Sequence, residues 1–148
     1  DPRFLSHGDH PARIRDFCAN TGQPIPETPG EIIRAILEGL ALAYRDVFET
    51  LSTLANRPLD VIHILGGGSQ NALLNQLTAD ATGKPVLAGP VEATVLGNAL
   101  VQLIALGEIG SLAEARQLVA QMDGMSHFIP NPAPAWDEAF VTYKQQTA

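Results

Sequence analysis

Apolar positions recur along most of this chain at helical spacing, and two short apolar runs interrupt them. Thr28-Pro29-Gly30-Glu31 offers a capping hydroxyl, a proline suited to the first helical position and a glutamate at capping-box spacing. Ile32, Ile33, Ile36, Leu40, Ala43, Tyr44, Val47 and Leu51 then follow a helical rhythm. The spacing predicts one long helix to Ala55, ended by Asn56-Arg57-Pro58. Val61-Ile62-His63-Ile64-Leu65 is nearly all apolar and predicts a strand buried on both faces. Past three glycines, a helix is predicted from Ser69 to Thr82, with Leu73, Leu74, Leu77 and Ala81 on one face and Gly83 at its end. Lys84-Pro85-Val86-Leu87-Ala88 predicts a second short strand. Gly89-Pro90 turns the chain into a helix from Glu92 to Leu106, which Gly107 stops. Ser111 caps a further helix ending near Met122, and Phe128-Ile129-Pro130 reads as extended. A last amphipathic helix starts near Pro134 and carries Trp136, Phe140 and Tyr143. Upstream, Pro2, Gly8 and Pro11 mark an irregular lead-in to a short helix that Thr21-Gly22-Gln23-Pro24-Ile25-Pro26 breaks near Asn20.

This order predicts an α/β fold, helix-rich, with a short parallel strand–helix–strand unit. Two strands make a poor sheet alone, and both read as buried. Further strands are therefore expected from an upstream part of the protein or from a partner chain. The start at Asp1-Pro2, without Met, adds to the expectation of a missing upstream part. An unpaired sheet edge and exposed apolar faces favour association, so a homodimer of this chain is expected.

Composition narrows the function classes. The 148 residues suit one domain. Aromatics are only 5% of the chain, too few for a stacking platform on nucleic acid, and the net charge of −7 opposes binding to a phosphate backbone. Neither observation excludes a nucleotide, because a helix start binds phosphate or ribose through local N–H groups. Cys18 is the only cysteine, so no intrachain disulfide and no cysteine zinc cluster can form, and a cytoplasmic setting is expected. The apolar runs are shorter than a membrane span, and no membrane partner is expected.

The candidate chemistry gathers at Gly66-Gly67-Gly68-Ser69-Gln70-Asn71. A strand delivers three glycines to a helix start, where N–H groups are free and short polar side chains cluster. The spacing is neither G-x-G-x-x-G nor a P-loop with Gly-Lys-Ser/Thr. Two readings stand on the residues alone. One is a cradle for a polar planar ligand such as a base, ribose or phosphate. The other is a tight strand-to-helix turn capped by Ser69. Glu92 suits the positive end of the next helix, and Ala93, Gly97 and Ala99 are small enough for close helix–sheet packing. The four histidines show no metal spacing, and His63 reads as a satisfied core histidine. Asp80 reads as a solvated acid, Cys18 as a small core residue and Trp136 as a packing anchor.

Residues 61–83, from Val-Ile-His-Ile-Leu-Gly-Gly-Gly-Ser-Gln-Asn to Ala-Asp-Ala-Thr-Gly, resemble the adenosine motif of the FGGY family of carbohydrate kinases. That family belongs to the actin-like, ribonuclease-H-like ATPase superfamily. Ala88-Gly89-Pro90-Val91-Glu92-Ala93-Thr94-Val95-Leu96-Gly97-Asn98-Ala99 resembles the next segment of the family in its rhamnulokinase branch. The likeness runs from Arg3 to Pro132 and takes in Gln23-Pro24-Ile25-Pro26-Glu27 and Phe128-Ile129-Pro130-Asn131-Pro132.

The resemblance implies an incomplete ribonuclease-H-like (actin-like ATPase) domain. Residues 1–148 would be the C-terminal part of the nucleotide-binding domain, with the N-terminal sugar-binding domain absent. It implies transfer of the ATP γ-phosphoryl group to a sugar hydroxyl with Mg²⁺, and in that branch the conversion of L-rhamnulose to L-rhamnulose 1-phosphate. It sets Gly67 against the nucleotide and the Asn71 side chain near the adenine. Gly66 and Gly68 would permit that approach, with Ser69 and Gln70 lining the turn. The family's catalytic aspartate and phosphate loop lie upstream of the matching segments. No catalytic residue and no metal ligand is therefore assigned here, and the chain alone is expected to be inactive. Two alternatives remain: another family member acting on xylulose, fuculose or glycerol, and a non-catalytic ATP-sensing or interaction module of the superfamily.

Overall fold

The computed structural model describes residues 4–122 and 124–147, and Pro2 and Arg3 of the predicted lead-in lie outside them. Helices start where capping groups stand. α1 spans His10–Asn20, and its Asp9 carboxylate accepts the Ala12 N–H at 3.0 Å. α2 spans Pro29–Ala55 and opens on a reciprocal capping box. Thr28 Oγ1 accepts the Glu31 N–H at 3.2 Å, while Glu31 Oε2 accepts the Thr28 N–H at 2.9 Å. Asn56, in the left-handed region at φ 48°, ends it.

β1 (Ile62–Ile64) leads through a 3-10 turn (Gly66–Gln70) into α3 (Ala72–Thr82), and β2 (Val86–Ala88) follows. Then come α4 (Ala93–Leu106), α5 (Leu112–Ala120), β3 (Ser126–Phe128) and α6 (Pro134–Thr147). The sheet order is β1-β2-β3. β1 and β2 run parallel, with Ile62 opposite Val86, His63 opposite Leu87 and Ile64 opposite Ala88. β3 is antiparallel to β2, with His127 opposite Leu87. The sheet is thus small and mixed, and the third strand comes from this chain itself. It precedes and includes Phe128, where the sequence reads only as an extended stretch.

β1 departs from the sequence expectation. Ile62 and Ile64 are half-buried, and His63 is exposed rather than a core histidine. The reason is position: β1 is an outer strand, and α3 packs mainly on β2 and β3. β2 is the covered strand, with Val86 0% and Ala88 1% exposed.

The core is seated where α2 meets α3. Ala41, Leu77 and Ala81 are buried together, with Leu37 and Trp136 packed against them. Trp136 is the packing anchor that the sequence predicts. α6 is held across α2 by Arg45, which lies 4.3 Å from the Phe140 ring centroid and pairs with Asp137 at 2.8 Å. The stripe Ile33, Ile36, Leu40, Tyr44, Val47 and Leu51 is exposed, because α2 buries its other face through Ile32, Ala41 and Leu42. α4 likewise has no buried residue. A Cβ at Gly97 would meet nothing within 4 Å, so Gly97 does not serve the close helix–sheet packing expected of it; Ala99 is exposed as well, and Ala93 is half-buried.

Candidate functional site

The glycine turn lies at the C-terminal end of β1, beside the loop that leaves the C-terminal end of β2. In open α/β sheets this is where ligands bind, because helix starts and exposed loop backbone converge there. Two backbone hydrogen bonds join the loops. Gly66 N–H donates to the Pro90 carbonyl at 3.1 Å, and Gly89 N–H donates to the Ile64 carbonyl at 2.8 Å. Gly66 holds a φ of +74°, which a side chain would strain.

Locally, the turn differs from a simple helix start at Ser69. Gly66–Gln70 forms a 3-10 turn, and α3 begins only at Ala72. The cap is Asn71, not Ser69: Asn71 Oδ1 accepts the Leu74 N–H at 3.0 Å. Ser69 Oγ instead donates to the Gly66 carbonyl at 2.6 Å, closing the turn on itself. Capping uses one lone pair of the Asn71 amide oxygen and leaves the Nδ2 donor uncommitted to it.

All six predicted site residues are therefore contiguous at one point of the fold. Gly67, Gly68, Gln70 and Asn71 are exposed, and Gly66 and Ser69 are half-buried. A Cβ at Gly67 would meet nothing within 4 Å. Packing among the described residues thus gives no reason for glycine there, and the space beside it is open to a ligand. The residues fit a nucleoside: bare backbone to lie along it, an amide to meet its base and a helix start for polar oxygens.

Asn75 and Gly89 are the additions that sequence reasoning missed. Asn75 is 0% exposed, and its Nδ2 donates to the Ser69 carbonyl at 2.9 Å. The available signal was an asparagine on the buried side of α3, between Leu74 and Leu77. Gly89 is buried at φ +116°, and a Cβ there would lie 2.8 Å from the Gly124 carbonyl oxygen. Its signal was the Gly-Pro pair directly after a strand.

The remaining candidates lie apart from the turn or serve the fold. Asp80 is half-buried and accepts from Gln76 Nε2 and from the Asn131 N–H, each at 2.8 Å, so it tethers the segment after β3. Cys18 is buried, and burial pushes its thiol above the ordinary range, which leaves it protonated. Glu92 is exposed at the start of α4 and makes no capping bond through its side chain. Among the described residues, no group of three or more His, Cys, Asp or Glu side chains could hold a metal ion. No helix among them is long and apolar enough to cross a membrane.

Known proteins resemble this chain over most of its length. The sequence pattern of the FGGY family of carbohydrate kinases, C-terminal domain, matches residues 1–106. A rhamnulokinase of Bacteroides thetaiotaomicron is 45% identical over 144 residues, covering 97% of this chain and 30% of that protein. A rhamnulokinase of Klebsiella pneumoniae strain 342 is 46% identical over 132 residues, covering 89% of this chain and 27% of that protein. A second Klebsiella pneumoniae rhamnulokinase, from strain ATCC 700721, is 45% identical over the same number of residues, 132. The chain spans about a third or less of the length of these curated relatives, 30% in the first case and 27% in the others.

Proposed function

This chain belongs to the FGGY family of carbohydrate kinases, and we propose that it is the adenosine-binding part of an ATP-dependent sugar kinase. The observation that carries the proposal is the open space at Gly67 beside Asn71, at the ends of two parallel strands. Gly66, Gly67 and Gly68 would lie along the adenosine, with Ser69 and Gln70 lining the turn. Asn71 Nδ2 would donate to an acceptor on the adenine ring while its Oδ1 caps α3. The cap and the ligand contact then share one side chain, so the helix start is set in place before the nucleotide arrives.

ATP supplies the γ-phosphoryl group to a sugar hydroxyl in this chemistry, and Mg²⁺ neutralises the charge that develops. The part of this chain is to bind and orient the nucleoside end. We assign the proton-accepting carboxylate, the Mg²⁺ ligands and the sugar pocket to the remainder of a longer protein, in keeping with the share of the relatives that this chain covers. The small mixed sheet with α3 then represents part of a ribonuclease-H-like domain. The likeness to rhamnulokinases supports L-rhamnulose as the sugar, phosphorylated to L-rhamnulose 1-phosphate.

Calorimetric titration of ADP into the full-length protein carrying this sequence tests the reading. Asn71→Ala is expected to weaken ADP about tenfold, the worth of one lost hydrogen bond with some loosening of the cap. Equal affinity in wild type and variant would remove Asn71 from the site.

A further inference from the structure

Asn75 is fully buried, and of its side-chain amide only the NH₂ is hydrogen-bonded among the described residues. It lies one helical turn after Asn71, with Leu77, Thr78 and Ala79 buried nearby on α3. Its Oδ1 meets no hydrogen-bond donor among the described residues. A buried acceptor without a partner is unfavourable, and an apolar replacement of similar shape removes it, though it also takes the Nδ2 donor from the Ser69 carbonyl. At 0% exposure the side chain cannot reach a ligand. Its Nδ2 donates six residues back, to the Ser69 carbonyl at 2.9 Å. That carbonyl also fixes which end of the amide is the NH₂, since an oxygen there would face an oxygen.

We infer that Asn75 is a positioning residue that sets the shape of the glycine turn for the adenosine of ATP. The inference rests on the adenosine reading of that turn. A peptide unit is planar, so holding the Ser69 carbonyl also holds the Gln70 N–H at the other end of the same plane. The turn is thus pinned at both ends. Ser69 Oγ holds the Gly66 carbonyl, and Asn75 Nδ2 holds the Ser69 carbonyl. Between them lie Gly67 and Gly68, whose backbone freedom is greatest and which have no side chain to restrain it. Without Asn75 the turn samples more shapes, and nucleotide affinity falls by the fraction of time spent in the wrong ones.

The test is Asn75→Leu in the full-length protein, with Asn71→Ala alongside it. Thermal midpoint, ADP dissociation constant, kcat and the two KM values are measured. Asn75→Leu should raise the ADP dissociation constant and the KM for ATP about fivefold, matching one lost hydrogen bond. Its thermal midpoint should stay close to that of wild type, because the lost bond to the Ser69 carbonyl is offset by removal of the unpaired Oδ1. Both kcat and the sugar KM should stay unchanged, because only binding remote from the reaction is lost. A fall in thermal midpoint with all kinetic constants impaired together would make Asn75 structural and overturn the inference. Wild-type ADP affinity in Asn75→Leu, with weakened affinity in Asn71→Ala, would overturn it and leave the adenosine site standing. Wild-type affinity in both would overturn both. If Asn75→Leu does not fold, Asn75→Ala, which adds no volume, is read by the same measurements. Failure of both to fold assigns Asn75 to the fold and overturns the inference.

Discussion

Two glycines at the site serve opposite ends, and substitution separates them. Gly89 has no room: a Cβ would lie 2.8 Å from the Gly124 carbonyl oxygen and 3.4 Å from Met125 Sδ, at a φ of +116°. Gly89→Ala should therefore destabilise by about 2–4 kcal/mol, seen as a lowered denaturant midpoint. Gly67 has open space, so Gly67→Ala should change stability by less than about 0.5 kcal/mol. The same methyl group would intrude on the nucleoside, and ADP binding should weaken at least about tenfold by overpacking. A Gly67→Ala protein with unaltered ADP affinity would show that no ligand lies against that backbone. The sequence could name both glycines but could not tell these roles apart. One depends on Gly124 and Met125, more than thirty residues away, and the other on a space that none of the described residues fills.

The helices were legible at the level of elements because their signals are local. Thr28, Pro29 and Glu31 announce α2, and the observed box forms between those residues. Thr28→Ala should cost about 1 kcal/mol in thermal or denaturant unfolding. Glu31 adds a pH dependence of definite sign. The Thr28 N–H first, and the Glu27 N–H second, hold its carboxyl below the ordinary glutamate range. A depressed carboxylate stabilises the fold above its unfolded pKa, and that contribution is lost as pH falls through its folded pKa. The stability difference between wild type and Glu31→Gln should thus be constant near neutral pH and shrink on acidification through the carboxylate range. A difference that grows on acidification would contradict the observed cap. The sheet was less legible. β3 pairs with β2 across a long sequence separation, and its Ser126-His127-Phe128 carries no strand pattern of its own. The burial predicted for β1 failed for the same reason: periodicity reports what a strand can bury, and topology decides whether anything covers it. The cap moved from Ser69 to Asn71 because a one-turn 3-10 segment absorbs the glycines before α3 begins.

The molecule as a whole leaves many large apolar side chains exposed. Ile33, Ile36, Leu40, Tyr44, Val47 and Leu51 line one side of α2, and Val95, Val101 and Leu106 stand out on α4. β1 is also an outer strand, with an unpaired edge among the described residues. These surfaces favour association, so light scattering on this chain alone should give a dimer or larger species, and a strict monomer at high concentration would contradict that expectation. By the proposed division of labour, the 148 residues alone should give no ATP-dependent phosphorylation of L-rhamnulose, and turnover by them would place the catalytic carboxylate here. The central claim is the location of the adenosine. Amide hydrogen exchange in the full-length protein, with and without saturating ADP, tests it most directly. Slowed exchange in peptides covering Gly66 to Leu74 is predicted. Unchanged exchange there, with ADP bound and protection confined elsewhere, would contradict the account.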